Sequence, residues 1–190
     1  VFLVTSSSPG EGKSTTSALL ALALAESGTP TVLVGADFRK PRVDGLIGLA
    51  PSPSIQDFAR LDLDRPTIDD IVQQTHVRDL YGVAPGPGTR EVARLIDATI
   101  ELCEGAVARG ATVVVDSSPV KAANDTIDLL PVVNYVILVV RAGLSTEKEF
   151  LDTVAYLHRL DAKILGIVLI GTRAARRRAY YYYDYYTPPP

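Results

Sequence analysis

The residues from Thr5 to Thr16, TSSSPGEGKSTT, are the types that phosphate chemistry needs, at a workable spacing. Gly10 and Gly12 allow backbone N–H groups to close on an anion, and a helix starting at Lys13 would aim its positive end at it. The Lys13 ammonium is spaced to reach β- and γ-phosphates, and the Ser14 hydroxyl to sit on Mg²⁺. Ser8, Pro9, Gly10, Glu11, Gly12, Lys13, Ser14 and Thr15 are therefore expected to cradle a nucleotide. Ser7 stands where the general G-x-x-x-x-G-K-[ST] pattern has its first glycine. A glycine-rich turn without a ligand is the bland alternative; the apolar run before the loop and the helical run after it argue against that.

Such a loop needs a strand before it and a helix behind it. Val1-Thr5 reads as that strand and Lys13-Ser27 as that helix, closed by Gly28. Further along, apolar runs at Thr31-Ala36, Leu80-Ala84, Ala111-Val115, Tyr135-Val140 and Lys163-Ile170 alternate with helical patterns. Helices are expected at Ile55-Arg60, Ile68-Gln74, Glu91-Ala108, Asp125-Leu130 and Thr146-Leu160. The alternation predicts an α/β fold: a mainly parallel sheet flanked by helices in three layers, of the P-loop NTPase type. Residues 1–172 are expected to form the domain. From Arg173 the composition turns abruptly to arginine, tyrosine and proline, so residues 173–190 read as a flexible tail.

Ligands of open α/β sheets bind beyond the carboxyl ends of the strands. Asp37 and Asp116 follow the runs TVLVGA and TVVV there, and with Ser14 they are the expected Mg²⁺ residues. Lys13, Asp37 and Asp116 make the expected catalytic set. Asp125 follows a turn and reads as a helix cap rather than a site residue.

At 190 residues with a net charge of −3, the chain is one ordinary globular domain with no demand for nucleic acid. The single cysteine, Cys103, excludes an internal disulfide framework and suits a reducing cytoplasm. No run reaches the length of a membrane-spanning helix, and no signal peptide is visible. A start inside a strand, without methionine, points to a piece of a longer protein.

Together these segments resemble the bacterial protein-tyrosine kinases of polysaccharide export. Thr5-Ser14 is similar to that family's Walker A loop, with serine in the same place. Val32-Pro41 resembles its Walker A′ segment, and Val113-Val120 its Walker B. Val139-Gly143 and Leu165-Leu169 sit where similar family segments lie. The ending is the most specific feature. Six of the nine tyrosines, Tyr180, Tyr181, Tyr182, Tyr183, Tyr185 and Tyr186, fall within seven residues, like the family's autophosphorylated cluster. The resemblance implies an ATP/Mg²⁺-dependent tyrosine autokinase acting in trans on these tyrosines, with ADP as the product. It also implies ring-like homo-oligomers, a membrane adaptor, an opposing phosphatase, and a place at the cytoplasmic face of the membrane in capsule or exopolysaccharide production. Each phosphate would add about −1.5 to −2 charges beside Arg173 and Arg176-Arg178.

Three departures stand out. Gly35 replaces the first aspartate of the family's D-x-D pair, which is thought to take the tyrosine proton or help order Mg²⁺. If that loss were a lost base, Gly35→Asp should raise transfer about tenfold or more; no change would show that the site had adapted otherwise. Ser117-Ser118 stands for Thr-Pro, and Ile170-Gly171-Thr172 occupies the place of an adenine-contacting asparagine. Two other functions remain open on the sequence: a nucleotide-binding scaffold with weak or no transfer, and a partitioning-type ATPase. The latter class has a second lysine in its loop where this chain has Ser8.

Overall fold

Parallel strands buried on both faces are apolar throughout rather than alternating, and Thr31–Ala36 (β2) is buried at every residue. In the computed structural model, which describes residues 1–60, 66–89 and 92–172, β2 belongs to a seven-stranded sheet. The other strands are Phe2–Ser6 (β1), Gln73–Gln74 (β3), Leu80–Val83 (β4), Thr112–Ser117 (β5), Tyr135–Arg141 (β6) and Ile164–Ile170 (β7). Their order is β3-β4-β2-β5-β1-β6-β7, and every pairing is parallel except β3 with β4. The α/β expectation holds, with one antiparallel edge.

The helices are Lys13–Glu26 (α1), Val43–Ile47 (α2), Ile55–Phe58 (α3), Ile68–Ile71 (α4), Ala93–Ala108 (α5), Asp125–Asp128 (α6) and Glu147–Arg159 (α7), with a 3₁₀ turn at Leu130–Val132. One sheet face packs on α1 and α2 through Val4, Leu33, Val114, Ala21, Ala25 and Val43. The other meets α3, α5 and α7 through Leu3, Val34, Val115, Phe58, Leu102 and Leu157. No helix among the described residues is long and apolar enough to cross a membrane. Cys103 is fully buried in the second of these cores, and desolvation pushes its thiol up to about 12, so it is a packing residue.

Several boundaries differ from the sequence reading. The expected helix over Ile68-Gln74 stops at Ile71, because Val72 is extended and Gln73-Gln74 pair with β4. Helix α2 was not expected so soon after Pro41; it is anchored by Val43 and Ile47 in the core and ends on Gly48 in the left-handed region. Strand β5 continues through Asp116 to Ser117, so Asp116 is a strand residue rather than the first residue beyond one. Glu91 and residues 173–190, including the tyrosine cluster, lie outside the described residues.

The register explains Gly35. It pairs with Asp116 across β2 and β5, so a side chain there would project beside the Asp116 carboxylate. That space is filled. A Cβ on Gly35 would lie 2.7 Å from Pro85 Cδ and 2.8 Å from Val43 Cγ1. The site is closed by packing, which runs against expecting Gly35→Asp to restore a base. Overpacking of this kind costs about 1–3 kcal/mol, so Gly35→Ala should lower unfolding stability by that amount in urea titration. Gly35→Asp should lose at least as much and give no tenfold gain in transfer; a gain would show that Val43 and Pro85 yield easily.

Candidate nucleotide-binding site

The loop between β1 and α1 turns through Gly10 and Gly12, both at positive φ. These are conformations that side-chain-bearing residues rarely adopt. Helix α1 begins without a side-chain cap and without an acidic residue in its first turn. Helix α7, by contrast, is closed by a capping box of Thr146 with Glu149. The N-terminal N–H groups of α1 are thus left to an external acceptor.

Neighbouring strands hold the loop in shape. Glu11 is fully buried, and its carboxylate accepts the Ser8 N–H at 2.7 Å and the Ser145 hydroxyl. Ser145 Oγ also accepts the Arg141 backbone N–H, and the Arg141 guanidinium donates to the Gly10 carbonyl at 3.0 Å. From β7, Ile170 lies so close to Gly12 that a Cβ there would come within 2.4 Å of its Cδ1. The Glu11 side chain thus braces the loop, and the Ser8 N–H is spent within it. Nothing in the spacing of the loop announces Ser145 as the partner, since it lies 134 positions from Glu11.

Beneath the loop Asp116, Ser17 and Lys13 are buried, and Ser14 is half-buried beside them. Asp116 is 1% exposed; it accepts from Ser17 Oγ at 3.1 Å and from the Ser14 hydroxyl. Burial pushes its carboxyl up to about 6, against the opposing pull of the two serines and Lys13. Lys13 is also buried, and desolvation lowers its ammonium although Asp116, Asp37 and Glu11 pull it back up. Asp37 stands nearer the surface, where its Oδ1 accepts the Lys40 N–H at 3.1 Å and the Ser118 hydroxyl at 3.4 Å.

Lys13, Ser14 and Asp37 face one cleft of about 600 Å³, lined also by Pro9, Gly10, Gly12, Thr15, Arg39, Ser118 and Arg141, while Asp116 and Ser17 lie buried beneath it. A second cavity of about 520 Å³ lies at the opposite edge of the sheet, around Phe2, Thr112 and Lys163, far from this chemistry. Lys13, Ser14, Asp37 and Asp116 are thus brought together; the tyrosines lie outside the described residues. Among the described residues no cluster of three or more His, Cys, Asp or Glu side chains could hold a metal by itself. Asp125, read from the sequence as a cap, instead pairs side-on with Arg39 while Asn124 takes the cap position.

No family model matches the chain. The tyrosine-protein kinase YwqD of Bacillus subtilis is 29% identical over 176 residues, which are 92% of this chain and 73% of that protein. The putative tyrosine-protein kinase EpsB of Ralstonia nicotianae is 32% identical over 87% of this chain but only 22% of its own length, so this chain spans about a fifth of that larger relative. The solved kinase domain of VpsO superposes with a TM-score of 0.81 at 27% identity, over 90% of this chain and 84% of that one. With its phosphate loop and parallel sheet, the chain is thus similar, over about nine-tenths of its length, to bacterial tyrosine-protein kinases and shares the fold of their kinase domains.

Proposed function

We propose that the chain is an ATP/Mg²⁺-dependent autokinase that phosphorylates Tyr180, Tyr181, Tyr182, Tyr183, Tyr185 and Tyr186 in trans, and so regulates polysaccharide polymerisation and export. The observation that carries it is that Lys13, Ser14 and Asp37 line one cleft at the carboxyl edge of the sheet, with the buried Asp116 carboxylate bonded beneath them. Lys13 and the free N–H groups of α1 would hold the phosphates. Ser14, Asp37 and Asp116 would hold Mg²⁺, which when bound neutralises charge on the transferring phosphoryl group. Phosphoryl transfer depends chiefly on positioning and charge neutralisation, so a closed Gly35 is compatible with activity.

In this reading the tail of one copy enters the cleft of a neighbour in a ring, and phosphorylation disperses the ring. A membrane adaptor activates the domain at the cytoplasmic face, and a phosphatase resets it. The larger size of EpsB is in keeping with an adaptor joined in one chain. The closed packing at Gly35 favours a second reading, a nucleotide-binding scaffold in which transfer is weak or absent. A partitioning-type ATPase is disfavoured by Ser8, where that class has its second lysine.

Incubated with ATP and Mg²⁺, the chain should become phosphorylated on the 180–186 cluster, as read by anti-phosphotyrosine blotting and mass spectrometry. Lys13→Met and deletion of the tail should each abolish the signal. Silence in the parent, even with an adaptor segment restored, would leave the scaffold reading standing.

Asp116 gives a pH test. Its folded-state value, about 6, lies above the ordinary carboxylate value. Its contribution to stability is therefore full at low pH and is lost as pH rises through about 6. In melts without nucleotide, Asp116→Asn should remove part of the stability decline between about pH 4 and pH 6, and leave the chain more stable than the parent at pH 7.5. Equal slopes for parent and variant would contradict a buried, strained carboxylate.

A further inference from the structure

Arg39 lines the same cleft as Lys13, Asp37, Ser118 and Pro119. Its Nε and Nη2 donate to the two oxygens of Asp125 at 3.0 and 3.1 Å. The pair is asymmetric: the Asp125 side chain is 5% exposed and the Arg39 side chain 38%. A side-on fork uses two of the five guanidinium N–H groups, and the partly exposed remainder belongs to the cleft wall. An arginine at a protein surface ordinarily samples many rotamers; this one is held by a buried carboxylate.

The anchor is itself fixed. Asp125 opens α6, and the next residue, Thr126, donates its hydroxyl to the Ser118 carbonyl at 2.8 Å. That carbonyl also accepts from Thr5 Oγ1 at 2.9 Å and Ser117 Oγ at 3.1 Å. The Ser118 hydroxyl reaches Asp37, two residues before Arg39. Arg39 is therefore tied, through Asp125, to the segment that follows β5, and that segment is tied through Ser118 to Asp37.

We propose that Arg39 is a catalytic residue that binds the γ-phosphoryl oxygens as charge builds on them, with Asp125 as the positioning residue that keeps its fork in place. The proposal rests on the kinase reading above. In the transfer, the bond from tyrosine Oη to the γ-phosphorus forms while the bond from that phosphorus to the β–γ bridging oxygen breaks. The electron pair leaves on the β-phosphate, the phenolic proton passes to water, and Arg39 keeps its protons throughout. A loose phosphoryl transition state spreads charge over its equatorial oxygens, and a fixed, partly dehydrated guanidinium suits that geometry better than an ammonium. The competing explanation is that the pair merely stitches two loops together.

The test uses the whole chain with Mg²⁺ and a fluorescent ADP analogue, titrated with and without aluminium fluoride, which occupies the γ-phosphoryl position. In the parent, aluminium fluoride should tighten ADP binding by about tenfold or more. Arg39→Ala and Arg39→Lys should bind ADP within about threefold of the parent yet lose that tightening, and Asp125→Asn should lose part of it. Autophosphorylation by Arg39→Ala should fall about 10³-fold in kcat with little change in KM for ATP. Retained tightening in Arg39→Ala, or equal loss of ADP affinity with and without fluoride, overturns the proposal. Arg39→Lys keeps the charge, so it reports on the fork if the alanine variant fails to fold. A parent that shows fluoride tightening but no phosphotyrosine defeats the autokinase reading while the Arg39 comparison still decides this one. A parent that binds ADP without any tightening overturns the Arg39 proposal.

Discussion

A carboxylate buried in the middle of a sheet is costly unless something compensates it, and Asp116 on the central strand β5 is such a group. Its compensation comes from one direction. Ser14 and Ser17 lie on the first turns of α1, and Lys13 opens that helix. Helix α1 must therefore cross β5 with its N-terminus at the carboxyl edge, which fixes the loop before it and the strand before that. Burial works on both charges, raising the acid and lowering the base. An arriving metal and polyphosphate would supply what the buried pair lacks.

The far half of the sheet has a different part. Strands β6 and β7 give no ligand-facing carboxylate, but their ends shape the loop through Ser145, Arg141 and Ile170. Phosphate loops need their N–H groups pointed inward before the anion arrives if binding is not to spend energy on ordering. Here the carbonyl of Gly10 is held by Arg141, and the Ser8 N–H is tied to Glu11. The loop is preorganised by long-range side-chain contacts as much as by its glycines.

How much of this was legible depended on sequence separation. The strand, loop and first helix are contiguous, and their signals are local: an apolar run, two glycines, a lysine and a hydroxyl. The buried strands were legible for the same reason, since TVLVGA and TVVV have no polar alternation. Local signals also mislead. Gln73-Gln74 carry no strand signal and pair only because β4 offers an edge, and the five residues of α2 fold on the strength of Val43 and Ile47 reaching a core. The partners of Glu11 and Asp125 are 134 and 86 positions away. An acid in a turn reads as a cap until the fold brings an arginine to it. For Gly35, the sequence displayed a missing carboxylate but could not display that the vacated volume was already filled.

That filled volume couples segments far apart in the chain. With Pro85 and Val43 both closer than a Cβ can tolerate, a carboxylate enters position 35 only if those two neighbours shift. The room would have to be made first, at two positions on different segments, and each of those changes alone would leave a cavity with nothing to fill it. Position 35 is thus a property of three residues: an acid placed there is felt first as crowding of Val43 and Pro85, and only then as charge beside Asp116.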